Sequence, residues 1–429
     1  MQVFKWATLG AGMVFILIVA AYLNTQQLYY MAAILLTLPA VSYAMGWYTM
    51  RGLTFTRELP DSVWAGEEGV LIYVAQNDTP VPRFFLAVQE LLPDWIEPLD
   101  PEPPLFNVDG RAGLPTGEQG ATRIAHRVRF RKRGAFALQG FEVTAIDPLG
   151  VFAFTRRIPS AGEIVVYPQA EPLNSFTLSG ADRYGWQEFT AAALRGASVD
   201  PDGVREYAPG DPLRRIHWRQ TARTGKLAVI EFEEPQTVNL VIALDLQQGT
   251  DVGEGIATTL EKSVSLAASL AQQAIQSGAS IRLVVPEDTS QDEKAVGSFG
   301  AASASSRGQE HLLVVLDALA RVEARSAQSV TKLVNEAVGN LLPGTTLVVI
   351  TSQASGSLAD ALARYTSAQT RVGVIYVDPA AFAPKNSRLP SVNVNRFFAE
   401  ILAVHAHPFL MHRATGEEPT PETILHGAF

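Results

Sequence analysis

The chain has 429 residues, enough for two or three domains that each bury a core. It carries 34 Lys and Arg against 43 Asp and Glu, a net charge of −9, which argues against a nucleic-acid binder because affinity for phosphate backbones rests on a basic surface. The absence of cysteine excludes a disulfide framework, a cysteine nucleophile and thiolate metal sites, and leaves the compartment open.

No charged residue or histidine stands between Lys5 and Arg51, a run long enough for two membrane crossings of roughly 20 residues each. Asn24, Thr25, Gln26 and Gln27 interrupt it with an uncharged polar turn. Residues 1–51 therefore predict a transmembrane hairpin, Trp6 to Leu23 and Leu28 to Met50, contacting the membrane through residues 6–50. Trp6, Tyr22, Tyr29, Tyr30, Trp47 and Tyr48 fall near its interfaces. Lys5 and the amino group precede the first helix, and Arg51 and Arg57 follow the second. That asymmetry predicts a multi-pass inner-membrane protein with its soluble domains in the cytoplasm. The alternative is a cleaved signal peptide followed by one anchor, which would place the bulk outside; the first segment lacks a convincing small-residue cleavage site.

Residues 54–168 read as a β-sandwich-like domain. Val70, Ile72 and Val74 alternate with Leu71, Tyr73 and Ala75, and turn residues Asn77, Asp78 and Pro80 follow. Ile124, Val128 and Phe130 share one strand face, and Arg123, Arg127, Arg129 and Arg131 share the other. That basic face invites contact with anionic lipid, but a solvated outer strand face is the favoured account. Asp147, Pro148 and Gly150 place a tight turn between two apolar strands, and Pro101 to Gly120 reads as a long exposed loop.

The connecting segment, 169–237, holds the most sharply specified local sequence, GVREYAPGDPLRRIHWRQTARTGK at residues 203–226. Asp211 is placed to cap a helix starting at Pro212, and Gly225 to stop it. Arg215, Arg219 and Arg223 recur every fourth residue and would form a cationic stripe over about three turns, with Ile216, Trp218 and Ala222 facing inward. The stripe either clamps to Glu206, Glu231, Glu233 and Glu234 or offers Arg forks to a phosphate or an acidic protein surface; the clamp is favoured, because acidic neighbours are plentiful and the segment joins two domains.

From residue 238 to 380 buried-type strands alternate with helices. Val238 to Asp245, Ile281 to Val285, Thr345 to Thr351 and Val372 to Val377 are the strands, and Glu254 to Gln276, His311 to Glu336 and Leu358 to Tyr365 the helices. The pattern predicts an α/β domain with a mostly parallel sheet. Glu287 to Gly308, rich in Ser, Ala and Gly, reads as a mobile loop or weak hairpin inside it, and residues 381–429 as a terminal helix and tail.

The elements REY at Arg205, Glu206 and Tyr207, GD at Gly210 and Asp211, and RRIHWRQTARTGKL at 214–227, which includes His217 and Trp218, resemble the bacterial family called domain of unknown function 58. The stretches GFEVTAIDPLGVF and VVYPQ are similar to that family's preceding β region. The resemblance implies a membrane-anchored protein with a von Willebrand factor A-like α/β part. It also implies association with MoxR-type AAA+ ATPases, which are often encoded beside such proteins.

That fold commonly carries a metal site with Asp-x-Ser-x-Ser after its first strand, because oxygen ligands suit Mg²⁺ or Ca²⁺. Here the stretch is Asp245, Leu246, Gln247, Gln248, Gly249, and the later loop has Thr351, Ser352 and Gln353. Only the first aspartate remains, a degenerate position with no metal expected. His405, His407 and His412 have no recognised ligand spacing, and nucleophile-elbow and phosphate-loop motifs are missing. The expectation is a non-enzymatic membrane-anchored scaffold or adaptor without cofactor or small-molecule substrate, recruiting a protein partner such as a MoxR-type ATPase. The alternatives are an extracytoplasmic binding protein and an enzyme with an unrecognised site.

Overall fold

The uncharged stretch at the amino end forms two consecutive helices in the computed structural model of the chain, α1 (Gln2–Leu23) and α2 (Gln26–Thr49). The structure describes residues 2–23, 26–60, 62–100, 103–110, 121–147, 150, 152–171, 189, 201–208, 216–232, 239–286, 299–300, 302–339, 341, 344–366, 370–384 and 392–411. It divides into two units, Met1–Val166 and Tyr167–Phe429.

In the first unit α1 and α2 pack against each other. Among the described residues α2 is long and apolar enough to cross a membrane, and the described side chains of α1 give a shorter apolar stretch, Gly10–Leu23. The structure thus offers one candidate span where the sequence predicts two.

The chain then forms β1 (Leu53–Glu58), β2 (Val63–Trp64), β3 (Glu68–Asn77), β4 (Arg83–Glu90), β5 (Ile96–Pro98), β6 (Phe106–Val108), β7 (Ala121–Phe130), β8 (Gly134–Ile146) and β9 (Ala153–Tyr167). These make two sheets of order β1-β3-β7-β5 and β2-β9-β8-β4-β6 around a shared apolar core. Strand periodicity explains the arrangement: Leu71, Tyr73 and Ala75 of β3 and Ile124, Val128 and Phe130 of β7 are buried, and the arginines between them point outward. Each arginine of that outer row meets a carboxylate. Arg123 lies 3.6 Å from Glu58, Arg127 2.9 Å from Asp100, Arg129 2.5 Å from Glu68 and Arg131 2.7 Å from Glu97. The predicted loop after Pro101 contains a strand, β6, because Val108 reaches the core opposite Arg83.

Inside the core a charged network ties one sheet to the other. The Arg57 guanidinium of β1 donates to Glu90 Oε1 of β4 at 2.7 Å and to the Ser160 carbonyl of β9 at 2.7 Å. The Tyr73 hydroxyl of β3 donates to Glu90 Oε2 at 2.5 Å. Arg57 and Glu90 side chains are 2% and 0% exposed, so every lone pair here has to find its donor inside the protein. Burial pushes the Glu90 carboxyl up, against the pull of the Tyr73 hydroxyl and the Arg57 charge, and it pushes the Tyr73 phenol up as well.

In the second unit β10 (Pro201–Glu206) pairs antiparallel with β11 (Ala228–Phe232), with helix α3 (Trp218–Thr224) between them in sequence. A fully parallel sheet follows, ordered β15-β12-β16-β17-β18, from β12 (Asn239–Leu244), β15 (Ser280–Val284), β16 (Thr345–Thr351), β17 (Arg371–Val377) and β18 (His407–Met411). The short β13 (Gly253–Glu254) and β14 (Ala257–Thr258) form a hairpin ahead of α4 (Thr259–Gln276). The remaining α-helices among the described residues are α5 (Gln309–Arg321), α6 (Val330–Ala337), α7 (Gly356–Leu362) and α8 (Val394–Ala403). Burial of β12 and β16 along almost their whole length explains their unbroken apolar sequence. The sequence anticipates the inner strands but not β18, where it places a tail.

Candidate functional site

The signature segment is built on the β10–β11 hairpin. Arg205 stands opposite Val229 and Glu206 opposite Ala228, and the Tyr207 N–H donates to the Leu227 carbonyl at 2.9 Å. Ile216 is buried and bridges to Val229 as an extended residue. That pairing prevents the predicted continuous helix from Pro212, so α3 begins at Trp218. Gly210, Asp211 and Arg215 lie outside the described residues, and the predicted Asp211 cap lies there with them.

His217 takes the capping role instead. Its Nδ1 accepts from the Gln220 N–H at 3.0 Å, which requires the ring proton to sit on Nε2. At the other end Gly225 adopts φ 72°, the left-handed conformation that glycine reaches without strain, and its N–H donates to the Thr221 carbonyl as predicted. Two further bonds strap α3 to the hairpin: His217 N–H to the Ala228 carbonyl at 2.8 Å, and Ala228 N–H to Thr221 Oγ1 at 3.1 Å.

The shortened helix reverses the predicted facing. No residue of α3 is buried; Trp218 is 67% exposed, and Ala222, Arg219 and Arg223 are exposed too. Arg219 and Arg223 stand one turn apart and have no ion pair to a carboxylate among the described residues. Of the predicted clamp partners, Glu233 and Glu234 lie outside the described residues. The described face is thus an exposed indole beside two cations, with Leu227, 44% exposed, just beyond it.

A second cluster occupies the carboxyl end of the parallel sheet. Asp245, buried after β12, accepts from Thr351 Oγ1 at 2.7 Å and from the Gln247 N–H at 3.1 Å. Gln353 donates its amide to Gln247 Oε1 at 2.9 Å, and Ser352 Oγ donates to the Thr250 carbonyl at 3.1 Å. The two loops are therefore stitched by neutral groups around one carboxylate. Burial pushes that carboxyl up, opposed by its two donors. Among the described residues no three His, Asp or Glu side chains are gathered as a metal site. His405 is exposed in a turn with φ 60°, His407 lies on β18 with its ring 5.6 Å from Phe189, and His412 is outside the described residues.

Residues 203–397 match the family model described as "Protein of unknown function DUF58"; the match opens on the signature hairpin and ends in α8. The chain is also 22% identical over 309 residues to "Uncharacterized protein YeaD" of Bacillus subtilis (strain 168), covering 70% of this chain and 71% of that protein. Both comparisons support the DUF58 family. A crystal structure of trypsin-activated alpha-2-macroglobulin from Escherichia coli aligns with 78% of this chain at 11% identity and a TM-score of 0.21. The chain spans only 21% of that protein's length.

Proposed function

We propose that this protein is a non-enzymatic adaptor of the DUF58 family, anchored in the inner membrane by its amino-terminal helices, with its soluble parts in the cytoplasm. It binds a protein partner through the α3 face. The observation that carries this reading is the exposure of Trp218, Arg219 and Arg223 together without a neutralising carboxylate among the described residues. Tryptophan and arginine are the side chains enriched where protein interfaces hold most of their binding energy. The partner we favour is a MoxR-type AAA+ ATPase presenting an acidic surface. In this reading the α/β unit is a von Willebrand factor A-like platform whose metal position has decayed to the amide bridge around Asp245.

The test is binding of a purified MoxR-type ATPase to the full chain in nanodiscs, with the parent compared to Arg219→Ala/Arg223→Ala. Capture is expected to fall at least tenfold with an unchanged unfolding midpoint. Unchanged capture overturns the docking role, and a lowered midpoint with intact capture assigns the arginines to an internal clamp. A reporter fused after Phe429 that is active only outside the cytoplasm would overturn the topology.

A further inference from the structure

We propose that the α2-proximal end of the β-sandwich is itself seated in the lipid bilayer, with Val81, Phe84 and Phe85 inserted at the boundary between head groups and acyl chains. The inference rests on the reading of α2 as a membrane span and adds a second, strand-borne contact to it.

The first line of evidence is how far up α2 the sandwich reaches. Strand ends Leu53, Asn77, Arg83, Ala121, Ile146 and Ala153 fall at one end of the two sheets, as their pairings show. Asp147 and Phe152, from the facing ends of β8 and β9, lie alongside the helix rather than beyond it. Ser42 donates its hydroxyl to Asp147, which also accepts from the Phe152 N–H. Tyr43 meets the rings of Phe152 and Phe154 edge-on, at 5.4 and 5.1 Å between centroids. Phe154 fills the notch left by Gly46, where an added Cβ would stand 2.5 Å from the ring. Ser42 and Gly46 precede the helix end at Thr49, and at 1.5 Å per residue they lie roughly 10 and 5 Å inside it. A helix of this length across a hydrocarbon layer of about 30 Å carries those positions below the interface. Asp147 and Phe152 are carried there with them, the carboxylate already satisfied by Ser42 and by the Phe152 N–H.

The second line is independent of these contacts. At the helix end the Arg51 guanidinium sits 3.5 Å over the Trp47 ring, an aromatic and cationic pair suited to the head-group level. Arg83, which opens β4, lies 4.0 Å over the Tyr48 ring and donates to the Arg51 carbonyl at 3.1 Å. The next two residues are phenylalanines at a register shift between Arg83 and Leu86. Phe84 and Phe85 are 46% and 42% exposed, and Val81 is 45% exposed. Phe85 holds φ 57°, a left-handed conformation unusual for a bulky residue, and its N–H is held by Asn107 Oδ1 at 3.1 Å. A strained bulge that turns adjacent aromatics outward at head-group level, beside a membrane helix, fits an apolar surrounding better than water.

The absence of cysteine from the chain makes the test direct. Single substitutions Val81→Cys, Phe84→Cys, Phe85→Cys, Ile34→Cys and Glu67→Cys are labelled with a nitroxide in the full chain, reconstituted in phosphatidylcholine and phosphatidylglycerol vesicles. Collision with oxygen is compared with collision with a water-soluble nickel chelate. Positions 81 and 84 are expected to favour oxygen several-fold over Glu67, at the far end of the sandwich, and to approach Ile34 in the middle of α2. Position 85 should agree, and 81 and 84 decide the matter if that variant does not fold. Oxygen preference at Ile34 with water-like behaviour at 81 and 84 overturns the inference and leaves the anchor standing. Labels at 81 and 84 shielded from both reagents overturn it in favour of a covering protein surface. Water-like behaviour at Ile34 overturns the anchor and the inference together.

Discussion

Glu90 in the sandwich unit and Asp245 in the α/β unit are both buried carboxylates, but among the described residues only Glu90 faces a cation. The arginine rows divide the other way. Arg123, Arg127, Arg129 and Arg131 on the outer face of β7 are each matched by a carboxylate, whereas Arg219 and Arg223 on α3 are matched by none among the described residues. The difference teaches that the number of arginines in a row is a poor guide to its role. The longer row is electrically closed and contributes to a solvated sheet face. The shorter one leaves its charge available at little cost in water, next to an exposed indole.

The largest effect is expected where a matched charge is buried. Glu90→Ala leaves the Arg57 guanidinium in the core without its carboxylate, and breaking a buried pair from one side costs about 3–5 kcal/mol. Chemical unfolding of the detergent-solubilised chain should show this loss. A change below about 1 kcal/mol would mean that water reaches Arg57, and the contrast with exposed pairs would collapse.

Much of this arrangement was legible in the sequence, and the failures have physical causes. The alternation in β7 and the unbroken apolar runs of β12 and β16 report burial directly, because strand geometry sends neighbouring side chains to opposite faces. The α3 start was misjudged because Asp211 and Pro212 form a strong local helix signal, while pairing of Ile216 with Val229 is a longer-range contact that overrides it. The same signal predicts Trp218 and Ala222 inward, on a helix that does not extend far enough to bury them. Strand β18 falls where the sequence predicts a tail: it is a five-residue edge strand containing Pro408, and the edge tolerates the missing N–H. The Arg57–Glu90–Tyr73 network left no local trace, since its members are far apart in sequence. The Gly46 notch and the Phe84–Phe85 bulge needed coordinates for the same reason.

A smaller and opposite effect is expected at Asp245. Burial raises its carboxyl, so the folded state holds a proton that the unfolded chain has already released. Stability therefore falls as pH rises from the ordinary carboxylate range through the raised folded value. Asp245→Asn removes that slope. Its Oδ1 can still accept from the Gln247 N–H, and its amide can donate to Thr351 Oγ1, whose hydroxyl turns to the Gln353 carbonyl 3.4 Å away. The variant should melt about 2–4 °C higher than the parent at neutral pH, with the difference closing under acid. A lower midpoint at neutral pH would instead show that the ionised carboxylate has a cationic partner, which would make Asp245 resemble Glu90.

The smallest effect is expected on the outer face of β7, and it tests the comparison most closely. Arg123 and Glu58 are 73% and 49% exposed at 3.6 Å, and such pairs contribute roughly 0.2–1 kcal/mol at most sites. Arg123→Gln should therefore shift the unfolding free energy by less than about 0.5 kcal/mol and leave partner capture unchanged. Raising salt should weaken capture by the parent, because exposed unmatched arginines steer an acidic partner through a screened field. The Arg123→Gln variant should show the same salt dependence, since its row was already neutralised. If Arg123→Gln lost capture while Arg219→Ala/Arg223→Ala kept it, a matched row would be the docking surface and the unmatched one inert, and pairing state would no longer separate the two.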